Sequence, residues 1–417
     1  MAAGGVAVPI DVEWPVKRQH ELATFAHVAA VVSDDQSSGL LRILDLPTLV
    51  LDRASGRLLH AACGTRGAVV ALGRGMSSRD PCDALIVWSS GSTQAPKAIL
   101  YGHANVLHGC RTFSSLCNLR AESRCLLTTP SVWAPVEWQL FAPLLAGARV
   151  VIAKPGGQRD AGYLAKLLQV SKGTICTFTP CQIERIVEEL EVRSAPSLTD
   201  VVSVGAALPM ATVRRFLVAC PGTRLHNVYG TSETGCCTWT ASDRPASFYA
   251  PVGRAQEGVQ VLLICDGHRE VTEPGEVAEI CFGGMLQKYY RGDEDCEARF
   301  CTHERHGRLY RTGDLGRWGP HGLEVLGRMD RQLQLNGVRV EPGEVETCAL
   351  ASECGVSEAA CVACTATGGL SGLVLFVTPA RVDATRLREA IALEKPGHMV
   401  PHAVAALPSL PLLGSGK

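Results

Sequence analysis

Apolar positions follow two different periods through the first 240 residues of the chain. The short apolar runs at 84–87 and 148–152 are typical of buried strands. Other segments carry apolar residues at helical spacing. These residues are Leu164, Leu167 and Leu168, and then Ile183, Ile186, Val187 and Leu190. Because strand-like and helix-like segments alternate, we predict mostly parallel sheets covered by helices.

The pattern changes beyond residue 250. Short apolar runs at 251–326 are broken by Gly, Pro and Asp, which predicts mostly antiparallel strands and a small barrel-like part. A strand is predicted at 373–377, followed by one helix. Asp383 is the expected cap of this helix, and Leu387 and Ile391 lie on one of its faces. These features predict a small α+β domain near the C-terminus.

A polar run at 327–331 indicates the boundary between the two parts, and 417 residues are too many for one ordinary core. We predict an α/β fold with a large N-terminal domain at 1–327, a hinge at 328–331 and a small mobile domain at 332–417.

Composition restricts the class of partner. A net charge of −1, with basic and acidic residues mixed along the chain, gives no reason to expect nucleic acid or an anionic membrane surface. No apolar run is long enough to span a membrane, and no secretory leader is recognisable, so we expect a cytoplasmic protein. The 18 cysteines are scattered through apolar segments, as in a reducing compartment. Cys361 and Cys364 have metal-ligand spacing, but on the strand predicted there they face opposite sides.

A loop rich in small polar residues follows the apolar run at 84–87. Its residues are Ser89, Ser90, Gly91, Ser92 and Thr93, with Lys97 at the exit. Backbone N–H groups, hydroxyls and a lysine in this order suit the phosphates of a nucleotide. The Walker spacing is absent, and the composition alone is also typical of a plain solvent loop.

Further polar motifs follow in a fixed order. They are Val8–Asp11, the loop at 89–98, Asn227–Thr234, Gly275–Glu276, Tyr310–Leu315, Gly327–Gln332, Asn336–Glu346 and Leu410–Lys417. The ordered set closely resembles the adenylate-forming superfamily, in particular the adenylation domains of nonribosomal peptide synthetases. The resemblance covers nearly the whole chain, and the order and spacing make it very specific.

The resemblance implies a reaction with ATP and Mg²⁺. A carboxylate would attack the α-phosphate of ATP, pyrophosphate would leave, and the acyl-adenylate would pass to a phosphopantetheine thiol, borne by a carrier protein or by CoA. Residues 89–93 and Lys97 would hold the β- and γ-phosphates. Tyr229 would lie against adenine, with Asn227 and Gly230 beside it in the nucleotide-binding motif. Ser232 would contact the α-phosphate.

The same resemblance assigns three charged residues in this part of the chain. Glu233 would bind Mg²⁺, a hard cation that prefers carboxylate oxygen. Asp314 would accept hydrogen bonds from both ribose hydroxyls, and Arg328 would contact the ribose or a phosphate. Read without the resemblance, Asp314 is typical of a turn and Glu233 of a solvated or capping carboxylate.

The C-terminal motifs imply a moving domain. Lys417 would reach the cleft to neutralise the α-phosphate and the substrate carboxylate, so that alanine there reduces adenylation while ATP still binds; an uninvolved tail lysine is the alternative. Asp330 would be the hinge, and the segment near Gly337 would open the path for the thiol. Gln334 and Asn336 stand where relatives have basic residues, a departure that bears on the thioester-forming step or on carrier docking and not on adenylation.

The chain departs from the family pattern in its phosphate loop and at its start. Gln94 and Ala98 stand where the family has glycines, and a positive φ at Gln94 would cost roughly 1 kcal/mol or more. The chain starts inside a motif, so we expect the large domain to lack its first stretch.

The acid pocket departs further. By alignment of Trp138 and the residues after it, Ala134 stands where activators of α-amino acids have an aspartate that pairs with the substrate ammonium. The other aligned pocket positions are uncharged. They are Pro135, Trp138, Thr177, Val202, Val204, Val228, Cys236 and Cys237. We predict a carboxylic acid without a free α-ammonium, although a shift in the alignment would bring Glu137 into the pocket and restore an amino substrate. Trp138 is also compatible with plain core packing.

Two other functions fit the same motifs. An acyl-CoA synthetase would use free CoA as the acceptor. A truncated chain with an altered phosphate loop would be an inactive remnant that binds ATP without turnover.

Overall fold

The computed structural model describes residues 5–34, 48–52, 55, 57–62, 82–89, 97–192, 195–241, 249–289, 299–329, 333–335, 338–365 and 371–410. The helices in these ranges are α1 (Val16–Phe25), α2 (His103–Leu116), α3 (Val136–Leu145), α4 (Ala161–Ser171), α5 (Pro180–Val192), α6 (Met210–Ala219), α7 (Pro342–Ala351) and α8 (Ala384–Glu394). Two 3₁₀ turns lie at Gly157–Arg159 and Gly397–Met399.

The strands as far as the end of the parallel sheet are β1 (Val31–Asp34), β2 (Thr48–Leu51), β3 (Leu58–Ala62), β4 (Asp83–Ser89), β5 (Lys97–Gly102), β6 (Arg124–Leu127), β7 (Arg149–Ile152), β8 (Ile175–Phe178), β9 (Asp200–Val204), β10 (Arg224–Gly230), β11 (Cys236–Thr240) and β12 (Arg254–Ala255). The remaining strands are β13 (Val259–Cys265), β14 (Arg269–Glu270), β15 (Ala278–Gly284), β16 (Lys288–Tyr289), β17 (Phe300–His303), β18 (Gly307–Gly319), β19 (Gly322–Arg328), β20 (Leu333–Leu335), β21 (Val338–Val340), β22 (Glu358–Thr365), β23 (Ser371–Thr378) and β24 (Ala403–Ala406).

The chain divides into two compact units, one of 104–340 with 365–371 and one of 1–103, 341–364 and 372–417. The predicted division at 328–331 stays a prediction, because residues 330–332 lie outside the described ranges.

The first of these units contains a seven-stranded sheet in the order β12-β11-β10-β9-β8-β6-β7. Strands β6 to β10 are parallel neighbours, and β11 and β12 extend the sheet antiparallel. The apolar faces of α4, α5 and α6 form a core with the sheet, built around side chains such as Leu164, Leu168 and Ile183. Since burying apolar side chains of this size is the main favourable term in folding, this core accounts for the helical spacing in the sequence. The predicted α/β class is confirmed.

Strands β13, β14, β15, β17, β18 and β19 form a six-stranded antiparallel sheet in the order β14-β13-β15-β18-β17, with β19 paired to β18. Its inner face buries Leu263, Ile280, Phe282 and Leu323. This sheet agrees with the antiparallel strands predicted there.

The second unit contains the sheet β1-β2-β3, the antiparallel pair β4 and β5, and the sheet β22-β23-β24 with helices α7 and α8. The Asp383 carboxylate accepts hydrogen bonds from the backbone N–H groups of Thr385 and Arg386, as expected of the cap of α8. Leu387 and Ile391 are fully buried. On β22, Cys361 is buried and Cys364 exposed, so the two thiols do face opposite sides.

No helix of the described chain is long and apolar enough to cross a membrane.

Candidate active site

The carboxyl end of β10 is where the parallel sheet presents polar groups. The strand ends at Gly230, and a tight turn at 231–235 leads into β11. A Cβ atom at Gly230 would lie 2.7 Å from the carbonyl oxygen of Gly235, so this turn requires a residue without a side chain. The Thr234 hydroxyl closes the turn by accepting a hydrogen bond from the N–H of Thr231 at 3.1 Å. Carboxyl ends of parallel strands are the usual place for ligands in open α/β sheets.

Ser232 and Glu233 occupy this turn. Ser232 is half-buried, whereas Glu233 is only 1% exposed. The Glu233 carbonyl accepts a hydrogen bond from the N–H of Gln287 at 3.1 Å, which fixes the backbone at this point. A carboxylate buried to this degree is a suitable ligand for a hard divalent cation, because burial of its charge is costly without compensating groups.

A second polar group lies on β18 and β19, next to the end of β10. The Tyr229 hydroxyl donates a hydrogen bond to Oδ2 of Asp314 at 2.5 Å, and Nη1 of Arg328 lies 3.0 Å from Oδ1 of the same carboxylate. The structure thus brings together three residues that the sequence predicted for the nucleotide. A carboxylate oxygen can accept two hydrogen bonds. With one contact from Tyr229 and one from Arg328, Asp314 can still accept further hydrogen bonds.

Burial, and then the negative charge of Asp314, raise the pKa of Tyr229 well above its ordinary value. The phenol therefore keeps its proton and acts as a hydrogen-bond donor toward Asp314. The ring packs against Phe282, with 5.9 Å between the centroids. These contacts hold the Tyr229 ring and the Asp314 carboxylate in fixed positions relative to each other.

The backbone around Asp314 is itself held by neighbouring side chains. Gly313 has φ +75° and donates its N–H to Oε1 of Glu279 at 3.0 Å. The other oxygen of Glu279 accepts a hydrogen bond from Nε of Arg311 at 2.8 Å. The Thr312 hydroxyl accepts a hydrogen bond from the N–H of Asp314 at 2.9 Å. These hydrogen bonds fix the backbone that carries Asp314.

Asn227 has a supporting place in the structure. It is buried, and its side-chain amide donates to the carbonyl oxygens of Pro251 at 3.0 Å and Ala250 at 3.4 Å. These bonds tie β10 to the chain that leads into β12. Its predicted contact with nucleotide stays a prediction.

Most of the predicted pocket positions share one face of the parallel sheet. Cross-strand pairing joins Thr177 to Val202 and Val204 to Val228, and Cys236 is on the same face as Val228 by strand alternation. Cys237 points to the opposite face and packs in the core of the antiparallel sheet. The structure therefore does not bring Cys237 together with the other predicted pocket residues.

The remaining pocket positions lie at the start of α3. Ala134 is half-buried and Pro135 buried. The Trp138 ring is half-buried and packs against Phe113, with 4.9 Å between the centroids. Its contact with Phe113 agrees with a packing role, and its contact with substrate stays a prediction.

Ser89 and Lys97 are paired residues at the end of β4 and the start of β5, so the predicted phosphate loop begins and ends on two antiparallel strands. Residues 90–93, Gln94, Asp330, Gly337 and Lys417 lie outside the described residues. Their predicted roles stay predictions.

Sequence reasoning missed a buried polar network on the same sheet. Asp200 is fully buried, and its Oδ1 lies 2.9 Å from Nε2 of His226 and 2.8 Å from Nη2 of Arg224. Nδ1 of His226 lies 2.9 Å from the Thr240 hydroxyl. Cys117 is close enough to complete a three-ligand metal group, but both His226 nitrogens already have hydrogen-bond partners. The sequence carries no signal for this network, because its members come from three separate segments.

We expect Asp200→Asn to lower the free energy of unfolding by about 3 kcal/mol at pH 7, since it removes the charged partner of the buried His226 side chain. Burial alone raises the pKa of Asp200, but hydrogen bonds from His226, Arg224 and Thr199 outweigh it and hold the pKa below its ordinary value. The ionised carboxylate therefore stabilises the fold above about pH 4, and this contribution disappears as pH falls through the folded-state pKa.

Urea unfolding of wild type and variant between pH 7 and pH 3 measures this difference. Asp160→Asn is the control, because asparagine replaces aspartate well at the exposed cap of α4. A difference for Asp200→Asn that is the same at every pH would contradict the role of its charge.

A family model described as AMP-binding enzyme matches residues 1–290. The chain belongs to the AMP-binding enzyme family. The match includes the turn at 231–235 and the strand that carries Tyr229. Asp314 and Arg328 lie beyond its end.

Among relatives, tyrocidine synthase 3 of Brevibacillus parabrevis is 28% identical over 425 residues, which cover 100% of this chain and 6% of the synthase. Phosphinothricin tripeptide synthetase PhsB of Streptomyces viridochromogenes is 32% identical over 346 residues, covering 80% of this chain and 29% of the synthetase. This family member thus spans less than a third of either relative.

Two solved structures show the same fold. The Vibrio cholerae adenylation domain AlmE, in complex with glycyl-adenosine-5'-phosphate, superposes with a TM-score of 0.83 at 21% identity, covering 99% of this chain and 82% of that one. A holo nonribosomal peptide synthetase protein with adenylation and PCP domains, bound to a vinylsulfonamide inhibitor, gives a TM-score of 0.76 at 25% identity and covers 100% and 70%.

Proposed function

We propose that this chain is an adenylation domain that activates a carboxylic acid with ATP. A carboxylate oxygen of the acid attacks the α-phosphorus, the bond from that phosphorus to the β-bridging oxygen breaks, and pyrophosphate leaves. The acyl-adenylate then reacts with a phosphopantetheine thiol: the thiol loses its proton to solvent, sulfur bonds to the acyl carbon, the bond from that carbon to the phosphate oxygen breaks, and AMP leaves. The observation that carries this proposal is the Tyr229–Asp314–Arg328 group beside the turn that contains Glu233.

The charged groups suit the demands of this chemistry. Asp314 offers acceptors for the ribose hydroxyls, while Tyr229 provides an aromatic face next to the same carboxylate. Ser232 would donate to the α-phosphate. These contacts position ATP, and positioning together with charge neutralisation supplies most of the catalysis in transfers at phosphorus.

Further residues would act on the triphosphate. Lys97, residues 89–93 and Lys417 would supply donors and positive charge. Glu233 would hold Mg²⁺, which neutralises phosphate charge when bound. The buried carboxylate of Glu233 fits this cation by its donor chemistry.

Trapping with hydroxylamine tests the first step. With ATP, Mg²⁺ and a suitable acid, we expect an acyl hydroxamate together with equal amounts of AMP and pyrophosphate. Release of ADP and phosphate would contradict adenylation. ATP binding with no product from any acid would favour an inactive remnant.

The acceptor needs a second experiment, since a carrier-borne and a free thiol are chemically alike. The relatives are peptide synthetases, and the 25% identical structure includes a PCP domain, so we propose a carrier protein. Incubation with a holo carrier protein or with CoA should give the thioester on the carrier. Thioester on CoA alone would identify an acyl-CoA synthetase.

A further inference from the structure

Strand β18 bulges out of register with β15 at the segment that carries Asp314. The ladder between the two strands pairs Cys281 with Arg311 and Glu279 with Leu315. From one pair to the other, β15 advances by two residues and β18 by four. Backbone groups in such a bulge lose their ladder partners and need hydrogen bonds from elsewhere. The groups that supply these bonds decide how Asp314 is presented.

The Glu279 carboxylate is one of these groups. Its Oε1 accepts a hydrogen bond from the N–H of Gly313 at 3.0 Å. Its Oε2 accepts two from Arg311, one from Nε at 2.8 Å and one from Nη2 at 2.6 Å. Glu279 is only 8% exposed, and charge-assisted bonds from one guanidinium fix its carboxylate in orientation as well as in position. Glu279 therefore holds both the start of the bulge and the residue directly before Asp314.

The peptide unit between Thr312 and Gly313 is held at both ends. Its N–H donates to Glu279, and its carbonyl oxygen accepts a hydrogen bond from Nη1 of Arg328 at 2.7 Å. The same Nη1 lies 3.0 Å from Oδ1 of Asp314. Rotation of this peptide would break the bond to Glu279 and turn the carbonyl away from Arg328. The orientation of one peptide thus sets the positions of Arg328 and Asp314 together.

Gly313 makes the orientation of this peptide depend on Glu279. Its φ is +75°, and a Cβ atom there would lie 2.9 Å from Nη2 of Arg328, so the position favours glycine on both counts. Because glycine restricts its own backbone little, the hydrogen bond to Glu279 supplies a restraint that a side chain provides elsewhere. The Thr312 hydroxyl adds a second anchor, since it donates to the carbonyl of Ile280 at 2.7 Å.

We propose that Glu279 is a positioning residue for ATP. It acts through the N–H of Gly313 and sets the orientation in which Asp314 meets the ribose hydroxyls, and so it raises the affinity for ATP. This assignment rests on the proposed adenylation, in which Asp314 binds the ribose. A carboxylate that recognises a ligand must be held within about 0.5 Å of its productive position, and hydrogen bonds to the backbone beneath it provide this restraint.

The sequence motif in this part of the chain was Gly275–Glu276, but Glu276 has a different environment. Its carboxylate pairs with Arg269 at the surface, and both side chains are more than a third exposed. Glu279, three residues further along, is buried against the bulge. Burial and the register of β15 against β18 distinguish the two glutamates, so the structure assigns the role to Glu279.

Equilibrium binding of ATP and of 2′,3′-dideoxy-ATP, with Mg²⁺ and without any acid, tests the assignment. Wild type should bind ATP about 100-fold more tightly, because the dideoxy nucleotide offers no ribose hydroxyls to Asp314. An amide has a single oxygen and cannot accept from both Gly313 and Arg311. Glu279→Gln should therefore weaken ATP binding about 10-fold and dideoxy-ATP binding less than about threefold. Glu276→Gln is the matched control and should change either Kd by less than about twofold.

A double mutant separates positioning from a structural role. If Glu279 acts through Asp314, Glu279→Gln should weaken ATP binding by less than about threefold in a protein that already carries Asp314→Asn. A further loss of about 10-fold would overturn the assignment, because the effect would then be independent of that carboxylate. Equal losses for ATP and dideoxy-ATP in the single variant would show a merely structural role and would overturn it as well.

Hydrogen exchange of the wild-type protein does not depend on a variant that folds. The Gly313 N–H should exchange slowly in the free protein, because Glu279 holds it before ATP binds. Fast exchange that becomes slow only when ATP is added would overturn the assignment of Glu279 and leave adenylation standing. Wild type that binds neither nucleotide, or binds both equally, would contradict the proposed nucleotide site itself, and the role of Glu279 with it.

Discussion

Replacing Asp314 with asparagine is expected to raise the ATP concentration for half-maximal exchange about 100-fold. The carboxylate would accept two charge-assisted hydrogen bonds from the ribose, each contributing about 1.5–3 kcal/mol. Asparagine keeps the volume but offers one neutral oxygen. The acid concentration for half-maximal exchange should change little, because Asp314 acts on the nucleotide.

The measurement is ATP-dependent exchange together with direct ATP binding. The matched control is Glu324→Gln on β19, which removes a carboxylate paired with Arg317 in the same hairpin. This control should change the ATP concentration for half-maximal exchange and the Kd for ATP by less than about twofold relative to wild type. If Asp314→Asn binds ATP as tightly as wild type, the assignment of Asp314 to the ribose is wrong.

Replacing Glu233 with glutamine is expected to raise the Mg²⁺ concentration needed for exchange by 10- to 100-fold. A neutral amide is a weaker ligand for a hard cation than a carboxylate, and about 2 kcal/mol is a typical difference for one charged contact. ATP binding without Mg²⁺ should be nearly unchanged. The reason is that Glu233 acts on ATP through the cation.

A titration with Mg²⁺ at saturating ATP and acid separates these effects. Glu257→Gln removes an exposed carboxylate from the same unit and is the control. A parallel loss of ATP binding without Mg²⁺ would indicate a structural role for Glu233. An unchanged Mg²⁺ requirement would exclude it as the metal ligand.

The helices and strands could be predicted from the sequence where periodicity was strong. Leu164, Leu168 and Ile183 fall in one core as their spacing implied. The cap and buried face of α8 were likewise predicted, because capping and burial are local properties. The change to antiparallel strands beyond residue 250 was visible from the short runs broken by Gly and Pro.

Contacts between distant segments could not be predicted in the same way. Tyr229 and Asp314 are 85 residues apart, and only the resemblance placed them at one nucleotide. Cys236 and Cys237 are adjacent, yet strand alternation turns them to different faces and removes Cys237 from the shared face.

The polar groups that the sequence missed share one physical cause. The sequence brought Glu137 into the acid pocket only under a shifted alignment and did not reveal its burial, which depends on the space left by Gly109 on another helix. Asp200 and His226 meet through the register of β9 and β10, which short motifs do not encode. Tertiary packing decides the environment of such groups, so sequence patterns reveal their presence but not their partners.

Exchange of labelled pyrophosphate into ATP by the wild-type chain tests the central claim most directly. The reaction is run with Mg²⁺ and pooled amino, hydroxy, keto, aryl and fatty acids, and without any acid. Adenylation predicts exchange that requires both an acid and Mg²⁺ and that the Asp314→Asn variant shows only at high ATP concentration. Exchange independent of acid, or none with any pool while ATP binds normally, would contradict the assignment as an adenylation domain.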